Sequence, residues 1–153
     1  MPRMDLDRIA PTNRTGYPTP CAAAVEGRWF RRLAPAGGLT QMGASQMVLK
    51  PGGWPSQRHW HRGEDELVVM LSGEAVRVDD AGETVLRAGD CCAFPAGDGN
   101  GHHLQNRSDA DCVFVAISAG PRMGGVYPDI DMRFTADDRH VHEDGRDYAS
   151  DRA

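Results

Sequence analysis

The sequence predicts an all-β domain, a sandwich or a closed barrel, and three observations carry the prediction. From residue 28 to about 120, short apolar or alternating segments recur between turn signals. No stretch in that region keeps helical apolar periodicity over three turns, which argues against a βαβ arrangement. Eighteen Gly and ten Pro in 153 residues exceed the average usage of ~7% and ~5%, as many tight turns between short strands require.

Taken in order, residues 1–27 hold Pro2, Pro11, Pro18 and Pro20 with little periodicity, and read as an extended N-terminal arm lying across another surface. The barrel follows over 28–120. WFRRL precedes PAGG, TQMGASQMVL precedes PGGWP, and RHWH precedes RGED. ELVVML then runs to SGE, AVRV to DDAG, ETVLR to AGD, CCAF to PAGDGNG, HHLQN to RSDAD, and CVFVAIS to AGPRMGG. Each segment has strand length and each break carries Gly, Pro, Asp or Ser. Closing such strands into a barrel removes exposed sheet edges. Residues 121–153 supply a last strand or arm, VYPDIDMRF, and then a charged segment whose composition predicts a flexible tail. His140 and His142 in that tail read as solvated and are assigned no metal.

Length and charge bound the function. A chain of 153 residues fits one domain and can bury roughly 68–70% of its unfolded surface, so it needs no metal merely to stay folded. A net charge of −5 argues against a general nucleic-acid partner. Lys50 is the sole lysine, which sets Schiff-base chemistry aside. No apolar run approaches the ~20 residues of a membrane helix, and the first residues lack the apolar core of a secretory signal, so a cytoplasmic location is expected. Cys21, Cys91, Cys92 and Cys112 have neither zinc nor disulfide spacing and read as buried small hydrophobes in a reducing compartment.

The chemistry concentrates between residues 59 and 103. His59 and His61 are two apart, so on a strand both imidazoles point to one face, with Cα atoms ~6.6 Å apart. Glu66 follows the RGED turn, and if ELVVML is the next antiparallel strand it sits across from the pair. In that register Val68 and Met70 line the interior while Leu67, Val69 and Leu71 pack on a second covered face. HHLQN offers a fourth ligand, either His102, which alternation groups with Leu104 and Asn106, or His103, which one register slip would bring in instead. Imidazole and carboxylate together suit a divalent transition metal such as Fe, Mn, Ni, Zn or Cu.

These segments resemble the cupin family. Its first motif is met by Gly53, His59, His61, Glu66 and Gly73 at the family spacing. The second is met by Gly89, Pro95, Gly97, His102 and Asn106, with four residues between Gly97 and His102 where the pattern has two. The resemblance covers about residues 38–118. It implies a double-stranded β-helix, or jelly-roll barrel, with His59, His61, Glu66 and His102 as metal ligands, and a homodimer of the kind in which cupins exchange N-terminal strands. Within the family, the segments SQRHWH, EDELVVMLSGE and GHHLQNRS look like a group of small bacterial cupins sometimes labelled sugar-phosphate isomerases.

Such a site leaves coordination positions open for a small-molecule ligand. The expected function is an enzyme acting on a small oxygenated substrate, either a dioxygenase or an isomerase or lyase; the alternative is a non-catalytic binding or sensing barrel that acts through a protein partner. Pocket walls are expected from Val68, Met70, Phe94 and Leu104, and polar contacts from Gln57, Asn106 and Asp98 on the lengthened loop. A phosphate-binding isomerase needs a cationic clamp, yet alternation turns Arg58, Arg62 and Arg77 outward, with Val76 and Val78 the expected interior residues.

Overall fold

A computed structural model describes residues 3–148. Its strands are β1 (Arg28–Arg32), β2 (Gly43–Leu49), β3 (Trp60–His61), β4 (Asp65–Ser72), β5 (Glu74–Asp79), β6 (Gly82–Arg87), β7 (Cys91–Phe94), β8 (His103–Gln105), β9 (Cys112–Ala119), β10 (Gly125–Tyr127), β11 (Met132–Phe134) and β12 (His140–Val141). They form three antiparallel sheets, ordered β1-β2-β9-β4-β7, β6-β5-β8 and β12-β11-β10-β3. This is the all-β jelly-roll barrel that the sequence predicts.

Period-two alternation builds the core. Val68 and Met70 of β4 and Cys112 and Phe114 of β9 are at most 2% exposed, and with Leu49 of β2 they face Ala75, Leu86 and Leu104 of the three-stranded sheet. Each such apolar side chain contributes about 1.5–3 kcal/mol when fully buried. The turn into β5 needs Gly73: its φ is +71° and a Cβ there would lie 2.5 Å from the Asp111 carbonyl.

The outer face of the five-stranded sheet departs from expectation. Leu67 and Leu71 are 39% and 48% exposed, so β4 is covered once, not twice. The parity of β5 is also the reverse of that expected. Ala75 faces the core opposite Leu86, and Arg77 shares that side opposite Leu104, its charge met by Asp79 at 3.3 Å. Val76 and Val78 take the other side. Cys92 and Cys112 are buried thiols as expected, whereas Cys91 is exposed.

The arm folds onto its own barrel. Thr12 exchanges two backbone hydrogen bonds with Phe30, Arg31 Nε donates to the Ile9 carbonyl, and Val25 is buried, so the chain covers the free edge of β1. The polar segment that composition predicts to be flexible is ordered through residue 148; residues 149–153 lie outside the described residues. Its anchors are few but sufficient. Met132 and Val141 are buried, Asp131 accepts from His142 Nδ1 and the Glu143 amide, and Thr135 bonds Arg139. His140 is accordingly not a solvated side chain: its ring packs tilted against Tyr17 with centroids 4.6 Å apart, and its Nε2 lies 3.2 Å from the Tyr127 hydroxyl.

Candidate metal centre

Three segments bring the site together. His59 precedes β3 and bridges His102 through two backbone hydrogen bonds, so these two imidazoles start from facing backbones. His61 lies on β3 and Glu66 on β4. The pairing differs from the expected hairpin: β3 pairs with β10, Trp60 opposite Val126 and His61 opposite Gly125, while β4 pairs with β7 and β9. Glu66 reaches the histidines across the barrel, not along a shared ladder. Gly125 permits the close approach, since a Cβ there would lie on the Trp60 carbonyl and the Phe134 ring.

Ligand atoms of His59, His61 and Glu66 all lie within 4.8 Å of one another. His59 Nε2 and His61 Nε2 are 3.1 Å apart, and Glu66 Oε2 is 3.2 Å from His61 Nε2. His59 Nδ1 sits 2.9 Å from the Gln57 carbonyl, a contact that fixes the proton on Nδ1 and leaves the Nε2 lone pair facing the site. His102 completes the wall. It is 4% exposed, stacks on Phe94 at 3.6 Å, and presents Nε2 3.5 Å from Glu66 Oε2.

The donor set fits a divalent transition metal. Both His102 ring nitrogens and His61 Nδ1 are buried without a hydrogen-bond partner, an arrangement that is costly unless another group engages them. Burial and the neighbouring His102 hold the His59 imidazole down to a pKa of about 3, so it is neutral and ready to ligate at neutral pH. Burial alone would raise the Glu66 carboxyl; the His102 and His61 imidazoles facing its oxygen outweigh burial and hold the group ionised, far below the ordinary carboxylate range. Burial lowers His61, yet its bond to Glu66 outweighs that and raises it.

The histidines and Glu66 open onto a cavity of about 490 Å³, within the usual size range of small-molecule sites. Val68, Phe94 and Leu104 line it. Four other expected contacts lie elsewhere. Met70 is core, 1% exposed. Gln57 donates to the Cys21 carbonyl and so ties down the arm. Asp98 is exposed and accepts from the Asn100 amide within its own loop. Asn106 is fully buried and bonds the Leu49 and Ala110 carbonyls, fastening two turns together. His103 lies on the opposite face of β8 from Leu104, edge-on to Trp54 at 4.6 Å.

Sequence reasoning missed the arginines. Arg28, Arg32 and Arg122 line the cavity. Alternation in RWFRR places Arg28, Phe30 and Arg32 on one face, a signal that was present without an indication of which face looks inward. Arg58 and Arg62 do turn outward, Arg58 onto Asp80 and Asp129 and Arg62 over the Trp60 ring.

Comparison with known proteins agrees with this architecture. The family model of the cupin domain matches residues 45–118. An oxalate-binding protein of Thermotoga maritima is 33% identical over 73 residues, 48% of this chain; the chain spans 58% of that relative's length. A Thermotoga maritima structure described as a predicted oxalate decarboxylase shares the fold, with a TM-score of 0.59 at 24% identity over 74% of this chain and 95% of that one. A crystal structure from Silicibacter pomeroyi, described as a sugar phosphate isomerase from a cupin superfamily, superposes with a TM-score of 0.90. With 40% identity to that protein sustained over 98% of both chains, this chain belongs to the cupin superfamily.

Proposed function

We propose that this cupin is a metal-dependent enzyme acting on a small oxygenated molecule, with His59, His61, Glu66 and His102 as ligands of one divalent transition metal. The observation that carries the reading is the convergence of half-buried imidazole and carboxylate donors within 4.8 Å at the wall of a cavity large enough for a substrate. A bound metal of this kind supplies Lewis acidity or a redox centre. The chain supplies the rest: His59 is locked in one tautomer, Glu66 stays ionised, and Phe94 shields the ring of His102 from water.

Isomerase or lyase chemistry is preferred to a dioxygenase. The relative that matches along nearly the whole chain is described as a sugar phosphate isomerase, and the curated relative as oxalate-binding; both names describe oxygen-rich small anions. Turnover by metal-loaded protein of members of a panel of hydroxy acids, dicarboxylates and sugar phosphates supports the enzyme. Tight binding without turnover supports the second reading, a sensing barrel, which rests on the same cavity.

A homodimer is part of this proposal. Trp29, Leu67 and Leu71 are more than a third exposed on the outer face of the five-stranded sheet, where Val113 and Val115 extend the apolar surface. We also place the protein in the cytoplasm, where its free thiols, exposed Cys91 included, remain reduced. Among the described residues no helix is long and apolar enough to cross a membrane.

A further inference from the structure

The charge of the cavity is opposite to that of the protein. The chain carries a net −5, yet Arg28, Arg32 and Arg122 line the cavity against one carboxylate, Glu66. Glu66 is already engaged by His61 and His102, and a divalent ion at its oxygen would add further positive charge. Arg122 is neutralised by Asp138 at 3.0 Å. Arg28 and Arg32 are not. Among the described residues neither forms an ion pair, and Arg32 makes no side-chain hydrogen bond.

Arg28 is the more telling of the two. It is half-buried, its Nη atoms donate to the Pro55 and Arg14 carbonyls, and its Nε is buried without a partner. Burial lowers its pKa, the mark of a cation held away from water without a full counter-charge. A desolvated cation without an anion is unfavourable, so a guanidinium kept in such a place has its complement in whatever enters the cavity.

Arg32 is placed to meet that ligand. It shares a cross-strand row with Ser45, Ala116 and Val68, all cavity-lining, and the adjoining row, on the side away from the Met47, Phe114 and Met70 core, holds Gly43, Ser118 and Glu66. Gly43 leaves room for the Ser118 hydroxyl, because a Cβ at residue 43 would lie 2.5 Å from Ser118 Oγ. The exposed Arg32 guanidinium, the hydroxyls of Ser45 and Ser118, and the histidine and glutamate cluster therefore line one cavity from adjoining rows of the same sheet.

We propose that the ligand of this cavity is a small oxyanion, a carboxylate or a phosphate ester, whose charge is paired by Arg32 at the cavity mouth in the positive field set by Arg28. The inference rests on the reading of the cavity as a substrate site and adds the chemical class and the residue that selects it. Arg32 acts by a charge-assisted hydrogen bond, so Lys would restore charge without the planar fork.

The test is calorimetric titration of metal-loaded protein with oxalate, with 2-phosphoglycolate and with inorganic phosphate, on wild type, Arg32→Gln, and Arg87→Gln as a control that removes the same charge from an exposed hairpin. Metal content is measured on the same samples. The expected result is saturable binding of at least one oxyanion that weakens about tenfold or more in Arg32→Gln and less than about twofold in Arg87→Gln. The stronger binder names the source, carboxylate or phosphate. Equal affinities in wild type and Arg32→Gln, or no binding of any of the three to wild type, would overturn the inference. Protein that takes up no metal but still binds phosphate through Arg32 would refute the metal reading and leave this inference standing.

Discussion

His102 Nε2 and Glu66 Oε2 face each other at 3.5 Å, although their residues lie 36 positions apart, Glu66 on β4 and His102 just before β8, two strands that do not pair. Two motifs of the sequence meet in that contact. The first delivers His59, His61 and Glu66; the second delivers His102 from the far side, backed by Phe94. Glu66 is the shared neighbour, its Oε2 also 3.2 Å from His61 Nε2, so its charge organises both imidazoles.

Asn106 is predicted to be structural. Substitution by Ala leaves the buried Leu49 carbonyl without its side-chain donor, while the Ala110 carbonyl keeps the Ser108 hydroxyl. At ~1–3 kcal/mol for one unsatisfied buried group, about 2 kcal/mol is lost, or roughly 6 °C in Tm for a chain of this size. Differential scanning calorimetry reads this directly, and metal content per folded molecule should stay unchanged. A variant that melts like wild type but loses metal would place Asn106 in the site.

His140 gives the fold a pH dependence of known sign. Burial lowers its pKa in the folded state from 6.5; Tyr17, Tyr127, Asp138 and Arg28 are the titratable groups around it. Below pH 6.5 the unfolded chain therefore binds the proton more readily than the folded one, and stability falls as pH falls. Comparing unfolding midpoints at pH 7.5 and 5.5, the drop is expected to be larger in wild type than in His140→Gln. Equal drops would mean that His140 is as accessible to protons folded as unfolded.

Leu71 tests the proposed dimer. At 48% exposed on an apolar sheet face, it should lie in the contact. Light scattering is expected to give about twice 16.6 kDa for wild type and a value near 16.6 kDa for Leu71→Arg, with the far-ultraviolet spectrum preserved. A wild-type mass near 16.6 kDa at micromolar concentration removes the dimer from the account.

Much of this site is legible in the sequence because its spacing is local. The two-residue step from His59 to His61 survives any change of strand partner, and the alternation from His102 to Leu104 settles which histidine faces inward once Leu104 is core. The partner of β3 is not legible in this way. A two-residue strand has little pattern of its own, and it pairs with Gly125 and Val126, some sixty residues later. The parity of β5 failed for a related reason: Ala75 is smaller than Val76 and Val78, and a strand with apolar side chains on both faces gives no sign of which is core. Gln57 and Asn106 have residue types suited to substrate contact, but tertiary hydrogen bonds to the arm and to two turns claim them first. The segment beyond Phe134 looks unstructured in composition because it is held by carboxylate-to-backbone bonds and a few buried side chains, not by an apolar stripe.

The central claim is that His59, His61, Glu66 and His102 hold a metal, and elemental analysis tests it most directly. Protein purified without chelators and resupplied with divalent metals is predicted to carry close to one equivalent of a transition metal, falling by at least about tenfold in Glu66→Gln and His102→Ala. Wild type that remains metal-free after resupply, or variants that retain the full equivalent, would contradict the account.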